Sequence, residues 1–429
     1  MIGAWRSILW SAAALVVVAA QGCATGPAKQ EVTSTTVISA RSAVPEDRLL
    51  DVGVHVLQTP NAQSAAKGGA AGTSAEESDS KDGGASNPEI QAAEARYIPF
   101  HLKQTLQRTG YWGAVRVVPD RSEDVDVSVK GRLLESNGET LRLQFQVTDV
   151  TGRVWFDNEY SAVATKKSYA SLKEKDYDPY QDLYNRVAND MLAYLQKLGT
   201  PEIAEIRRVS MLKFANSIAP YAFAGYLVQD SSGITHVSRL PAANDPMYQR
   251  VQRIRAREYM FIDTVNQYYG NLYDDMRGPY GQWRRSYLEE LDQQRALERK
   301  AWERRILGVA AIVGAVLLGT HYGGTGAADV ASAVMVIGGV EAIRSGSQYA
   351  DDAKIHADTI KELGASFKGD VAPIVDEVEG RTVKLSGSVD TQYAEWRRTL
   401  REMFVAETGQ SPEPAAAAKE ASGTSASGR

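Results

Sequence analysis

Apolar and polar residues alternate in steps of two through much of the first half of the chain. From Leu49 to Leu57 the apolar positions are Leu50, Val52, Val54 and Val56, which predicts a half-buried strand. Helical spacing follows at Ile98, Leu102 and Leu106 and closes at Gly110. Alternation returns at Val125, Val127 and Val129, and again at Leu141, Leu143, Phe145 and Val147. Ser136-Asn137-Gly138 and Asp149-Val150-Thr151-Gly152 have the turn chemistry to join these runs into a meander through Trp155 and Tyr160. Asp178-Pro179 predicts a helix start, and Leu183, Val187, Met191, Tyr194 and Leu198 carry that helix to Gly199. The order predicts an α+β domain over residues 45–200 with an antiparallel sheet.

Beyond Gly199 the pattern is mainly helical. EIRRVSMLKFANSI is a basic amphipathic segment, and Tyr226 to Leu240 reads as a hairpin turning at Asp230-Ser231-Ser232-Gly233. Asp245-Pro246 opens a long helix on which Met247, Val251, Ile254, Phe261, Val265, Tyr268 and Leu272 step by threes and fours, interrupted once at Glu258. Gly278-Pro279 predicts a break, followed by a charge-dense helix from Gln282 to about Arg305. Residues 201–305 are therefore expected as a hairpin plus long amphipathic helices. Residues 59–88 contain almost no large apolar side chain and are expected to be a disordered insertion, as is the Ala/Ser/Pro-rich tail at 410–429.

Two apolar arms follow, ILGVAAIVGAVLL from Ile306 and AADVASAVMVIGGVEAI from Ala327, joined by a Gly-rich connection. Ala311, Ala315 and Gly319 in the first arm, and Gly338, Ala342 and Gly346 in the second, place small residues at every fourth position. On a helix that spacing lets another backbone approach closely. The region 306–346 is similar to glycine-zipper segments of bacterial envelope proteins and is expected as an apolar helical hairpin. It either packs against the long helices or enters a membrane. Thirteen apolar residues cover only about 20 Å, and Asp329 and Glu341 interrupt the second arm, so neither arm is a standard span.

The first 22 residues combine Arg6, an apolar run from Ile8 to Ala20 and small residues before Cys23, the pattern of a secretory signal peptide. Cys23 is the only cysteine of the 429-residue chain, which excludes a disulfide scaffold and a cysteine-ligated zinc cluster. Ala20-Gln21-Gly22-Cys23 resembles a bacterial lipobox. That resemblance implies an acylated Cys23 at the mature N-terminus, with Ala24 directing it to the outer membrane, and a tether over residues 23–44. Lys+Arg total 48 and Asp+Glu 53, a net charge of −5 that argues against a nucleic-acid partner.

Two further resemblances bear on domains. VGVHV, VTDVTGRVWFDNEY and DLYNRVANDML resemble the small α/β domains of curli-secretion channel subunits and penicillin-binding-protein activators. VEGRTVKLSGSVDTQYAEWRRTL, within residues 347–409, resembles the BON module, an α/β unit associated with phospholipid surfaces.

Catalytic motifs are not evident. The five histidines, His55, His101, His236, His321 and His356, form no HExxH, HxH or i, i+4 pair. No GxSxG elbow or phosphate-binding loop occurs, and Gly323-Gly324-Thr325-Gly326 reads as a turn. Asp274-Asp275 and Asp351-Asp352 read as solvated helix faces. Tyr248, Tyr259, Tyr268, Tyr269, Tyr273, Tyr280 and Tyr287 with Trp283 suggest an interaction surface, helix-on-helix packing being the alternative. No catalytic residue, cofactor site or metal site is assigned. The expectation is a non-enzymatic lipoprotein scaffold or assembly factor on the periplasmic face of a Gram-negative outer membrane. Its expected partners are membrane lipid through Cys23, an envelope protein complex and further copies of itself. The alternatives are an oligomeric outer-membrane channel or secretion subunit and an envelope enzyme.

Overall fold

In the computed structural model, the structure describes residues 34–59, 88–119, 122, 124–170, 178–242, 244–319, 358, 362, 374–378, 381–385 and 388–409. Residues 1–34 form one unit and 35–429 a second, to which every element below belongs. The signal segment, Cys23, residues 60–87 of the expected insertion, the second apolar arm with Gly338, Ala342 and Gly346, and the 410–429 tail lie outside the described residues.

The fold class is α+β, built on a five-stranded sheet of order β2-β1-β3-β4-β5. The strands are β1 (Val52–His55), β2 (Val115–Val118), β3 (Val127–Ser136), β4 (Thr140–Asp149) and β5 (Val154–Val163). The expected antiparallel pairing holds for β3, β4 and β5, with Val129 opposite Val147 and Leu143 opposite Tyr160. The sheet as a whole is mixed, because β1 runs parallel to both β2 and β3. The reason is α1 (Pro88–Thr109), a crossover helix that returns the chain so that β2 repeats the direction of β1.

Alternation sorts the sheet into two faces. Val127, Val129, Leu141, Leu143, Phe145 and Val147 are buried, while Lys130, Arg132 and Gln146 are exposed. Gly131 is required on the packed face, since a Cβ there would lie 2.5 Å from Leu57 Cδ2 and 2.7 Å from Phe145. The β4–β5 turn is tied by Asp149, whose Oδ1 accepts from Thr151 N at 2.9 Å and whose Oδ2 accepts from Trp155 Nε1 at 3.0 Å.

Three short or medium helices follow: α2 (Lys166–Ala170), α3 (Gln181–Leu195) and α4 (Thr200–Ile218). The expected cap at Asp178-Pro179 sits earlier than the helix proper. Asp178 Oδ1 accepts from Tyr180 N at 2.8 Å, and α3 starts at Gln181. After α5 (Pro220–Phe223), β6 (Leu227–Gln229) and β7 (Thr235–Val237) form the expected hairpin, and Thr235 N donates to Thr151 O at 2.8 Å.

The 74-residue α6 (Pro246–Gly319) lies across α1, β2 and α4. Asp245 starts it as expected, accepting from Met247 N at 2.8 Å and Tyr248 N at 3.2 Å. The break expected at Gly278-Pro279 does not occur. Pro279 sits inside a continuous helix flanked by buried Met276, Tyr280 and Trp283. A helix-interior proline costs about 3 kcal/mol, which the burial of these three large side chains is sufficient to offset. The edge of β2 is covered by α6. Asn266 Oδ1 accepts from Val117 N at 2.8 Å and its Nδ2 donates to Val117 O at 2.9 Å, so one amide satisfies both outward main-chain groups.

The C-terminal segment contains a hairpin, β8 (Ile374–Val378) with β9 (Arg381–Leu385), and α7 (Val389–Thr408). Ser388 caps α7, and Tyr393, Trp396, Leu400 and Phe404 bury its inner face. Trp396 stacks on Phe261 of α6 with ring centroids 5.8 Å apart. Ala311, Ala315 and Gly319 fall on the last turns of α6. Among the described residues, no helix is long and apolar enough to cross a membrane.

Candidate functional site

Two clusters of buried ionisable side chains hold α6 to the rest of the fold, and both mix elements that are far apart in sequence. The first joins α1, the segment before α3, and the middle of α6. Glu94 Oε1 accepts from Ser136 Oγ at 2.5 Å and from Tyr280 OH at 2.6 Å. Burial pushes the Glu94 carboxyl up to about 7, against the pull of these two hydrogen bonds and of Arg284. One helical turn along, Arg284 Nη2 donates to Asp178 Oδ2 at 2.9 Å in a pair with almost no solvent exposure. Burial works against both charges. Their attraction outweighs it, holding Asp178 below and Arg284 well above the ordinary range.

Tyrosine rings surround this pair. Arg284 lies 4.0 Å from the Tyr280 ring centre and 5.2 Å from that of Tyr180, while Tyr97 stacks on Tyr273 at 4.6 Å. Tyr169 OH donates to Gly138 O, the turn glycine at φ 69° whose Cβ would meet Arg284 O at 2.5 Å. The tyrosines expected as an interaction surface are thus mostly interior: Tyr269, Tyr273, Tyr280 and Tyr287 are buried, and Tyr248, Tyr259 and Tyr268 half-buried. The small turn at Gly138 and the flat rings of α1 let α6 approach closely enough to bury them.

The second cluster joins α7 to α6. Arg397 Nη1 donates to Glu258 Oε1 at 2.6 Å and to Asp124 Oδ2 at 2.9 Å, and Nη2 donates to Ser217 Oγ at 2.7 Å. Tyr393 OH donates to the same Glu258 oxygen at 2.8 Å. Burial, then Asp124, pushes Glu258 up, with Arg397 opposing. One turn before Glu258, the Arg255 guanidinium donates to Ser210 O at 2.9 Å, Ser210 Oγ at 2.7 Å, Asp124 O at 2.8 Å and Tyr259 OH at 2.9 Å.

Beside Arg255 a cleft of about 440 Å³ opens, lined in part by Asp51, Asp126, Arg207 and Tyr259. Its two aspartates are engaged by the main chain: Asp126 Oδ2 accepts from Asp51 N at 3.0 Å, and Asp51 Oδ1 from Ala114 N at 2.8 Å. Burial, and the neighbouring Asp51 charge, raise Asp126. The polar groups of this cleft therefore serve first to close the β1–β3 region onto α4 and α6.

The three described histidines behave as structural groups, while His321 and His356, like Asp351-Asp352, lie outside the described residues. His55 Nε2 shares a hydrogen bond with Ser128 Oγ at 2.8 Å, and burial lowers its basicity to about 3, so the ring is neutral. His101 bridges Tyr273 OH at 2.8 Å and Gln181 Oε1 at 2.9 Å. His236 lies 3.1 Å from Asp230 on the β6–β7 hairpin. Asp274 and Asp275 are exposed on α6, as expected of a solvated face. Among the described residues, no group of three or more His, Cys, Asp or Glu could hold a metal ion.

Sequence reasoning missed Glu94, Arg255, Arg284 and Arg397. Asp178 was visible only as a helix start, and Glu258 as a charge inside an apolar stripe.

No family model matches the chain, and no curated protein matches it. Among solved structures, the crystal structure of protein XCC0632 from Xanthomonas campestris, described by the family model DUF330, is similar over 38% of this chain and 95% of that chain. Identity there is 12% and the TM-score 0.24, a likeness on which no argument about this chain rests.

Proposed function

We propose that the protein is a non-enzymatic cell-envelope lipoprotein, a membrane-tethered scaffold or assembly factor on the periplasmic side of a Gram-negative outer membrane. The observation that carries the reading is the lone cysteine, Cys23, directly after an apolar run and small residues that fit a signal peptide. A diacylglyceryl group in thioether linkage to Cys23 would by itself supply the two acyl chains that make membrane attachment stable. The described part of the fold supports a scaffold. Its buried charges at Asp178, Arg284, Glu258 and Arg397 are spent on clamping helices together. Past Arg295, whose guanidinium meets Glu139 at 2.7 Å, α6 continues for about 36 Å to Gly319. That helix would carry the small-residue face of Ala311, Ala315 and Gly319 toward an envelope partner or a second copy.

The test is metabolic labelling with an alkyne fatty acid, with mass spectrometry of the N-terminal peptide. A diacylglyceryl-modified Cys23 and loss of both label and membrane fractionation in Cys23→Ser support the reading. An unmodified Cys23 in membrane-derived protein rules it out.

A further inference from the structure

Residues 35–38 are held along α3 by side chains that bind their main chain. Thr35 N donates to Asp182 Oδ1 at 3.1 Å, and Asn185 Nδ2 donates to Thr35 O at 2.7 Å. One turn on, Asn189 Nδ2 donates to Thr36 O at 3.0 Å while its Oδ1 accepts from Ile38 N at 2.9 Å. Ala40 N then donates to Thr109 O at 2.7 Å, at the end of α1.

The spacing explains how one face of a helix can hold this segment. Asp182, Asn185 and Asn189 step by three and four residues, so they share one face of α3, and the first and last are about 10.5 Å apart along the axis. Thr35 to Ile38, extended, covers about 10 Å. Two turns of helix therefore match the span of the four residues 35–38, and each side chain reaches the main-chain group opposite it.

The amides are also oriented from behind. Gln181 Nε2 donates to Asn185 Oδ1 at 2.9 Å, which leaves the Asn185 Nδ2 group facing Thr35. Gln181 is itself fixed by Thr105 Oγ1 at 3.1 Å and by His101, whose other nitrogen meets Tyr273 of α6. Since Gln181 Oε1 only accepts, His101 Nε2 donates to it, and the neutral ring accepts from Tyr273 OH at Nδ1. A chain of bonds thus runs from α6 to the held segment.

We propose that the Asp182–Asn185–Asn189 face of α3 is a tether clamp that fixes how far the folded body can stand from its membrane anchor. With Thr35 held, only residues 23–34 remain to bridge the gap, a reach of about 40 Å at full extension. Releasing the clamp up to Ala40, which Thr109 O still holds, would extend that reach to about 57 Å. The height limit rests on the acylation of Cys23 argued above, whereas the clamp does not.

Hydrogen exchange on full-length Cys23→Ser protein tests the clamp without the anchor. The amides of Thr35 and Ile38 should exchange at least about tenfold more slowly than in an open chain, and the Asp182→Ala/Asn189→Ala variant, which removes both of their acceptors, should lose that protection. Amides in β4 and α7 serve as the folding control and should not change. Free-chain exchange of Thr35 and Ile38 in the parent, or protection that survives the double substitution, overturns the clamp. The height is read on acylated protein in vesicles, by energy transfer from a dye on α4 to a labelled bilayer. The double variant should lower transfer relative to parent, and equal transfer overturns the height limit. Protein that never joins the vesicles would instead count against acylation, leaving the exchange result to decide the clamp.

Discussion

Glu258 of α6 and Arg397 of α7 are 139 residues apart in the chain and meet at 2.6 Å, with the Glu258 side chain only 3% exposed. Arg397 divides its charge between Glu258 and Asp124, so α7 is joined at once to α6 and to the loop that leads into β3. Removing one member of a buried ion pair leaves the other charge without compensation, at a cost of about 3–5 kcal/mol. Arg397→Met is therefore expected to lower the urea midpoint strongly and to loosen α7, read as a change in Trp396 fluorescence. The double variant Arg397→Met/Glu258→Gln should cost clearly less than the sum of the singles. Additive losses would show that the two groups do not act as a pair.

Glu94 gives the fold a pH dependence. The folded protein keeps the Glu94 proton up to about 7, while the unfolded chain releases it near 4.5. Native protein thus binds more protons between those values, and this group's contribution, full below 4.5, is lost as pH rises to about 7 and is constant above. The difference amounts to about 3 kcal/mol. In Glu94→Gln that loss should vanish, so the variant gains on the parent between pH 5 and pH 8. Parallel urea midpoints for parent and variant across that range would contradict a buried, proton-holding Glu94.

His55 acts with the opposite sign. Its folded value of about 3 lies below the unfolded 6.5, so acidification favours the unfolded chain from pH 6.5 downward. In the parent the Glu94 and His55 effects oppose one another between pH 4.5 and 6.5. Combining Glu94→Gln with the native His55 should expose a steep acid-side decline, which His55→Gln should flatten. Differential scanning calorimetry at pH 5, 6 and 7.5 would resolve the two slopes.

Asn266 protects a sheet edge. Replacing it with Leu leaves the N–H and C=O of Val117 facing an apolar side chain, an expected loss of about 2–4 kcal/mol. The Val117 amide should also exchange faster, and light scattering at moderate denaturant should rise as the β2 edge becomes available for pairing. Asn266→Asp retains the acceptor but not the donor and should fall between the two.

Pro279 offers a substitution in the stabilising direction. The helix runs through it, so Pro279→Ala restores a main-chain donor to the ladder and removes the ring's steric conflict with the preceding turn. A rise in midpoint by about 1 kcal/mol or more is expected. A fall would mean that the path of the helix at Pro279 is needed to seat Tyr280 and Trp283.

Much of the fold was legible because it rests on local physics. The β3–β5 meander follows from side chains that alternate every two residues and from turns whose Asn-Gly and Asp-Val-Thr-Gly chemistry is self-contained. Helices α3 and α6 follow from apolar spacing near 3.6 and, for α6, from the cap at Asp245. The direction of β1 was not legible, because period-two alternation is the same whichever way the neighbouring strand runs. Gly278-Pro279 misled for a related reason: local propensity favours a break, and only the aromatic packing of Tyr280 and Trp283 overrides it. The charge clusters depend wholly on tertiary structure. Glu94, Arg284 and Arg397 look like surface residues in sequence, since nothing local reveals a partner 106 to 186 residues away. A buried charge is stable only when its counter-charge arrives with it, and the folded chain alone decides which charges arrive together.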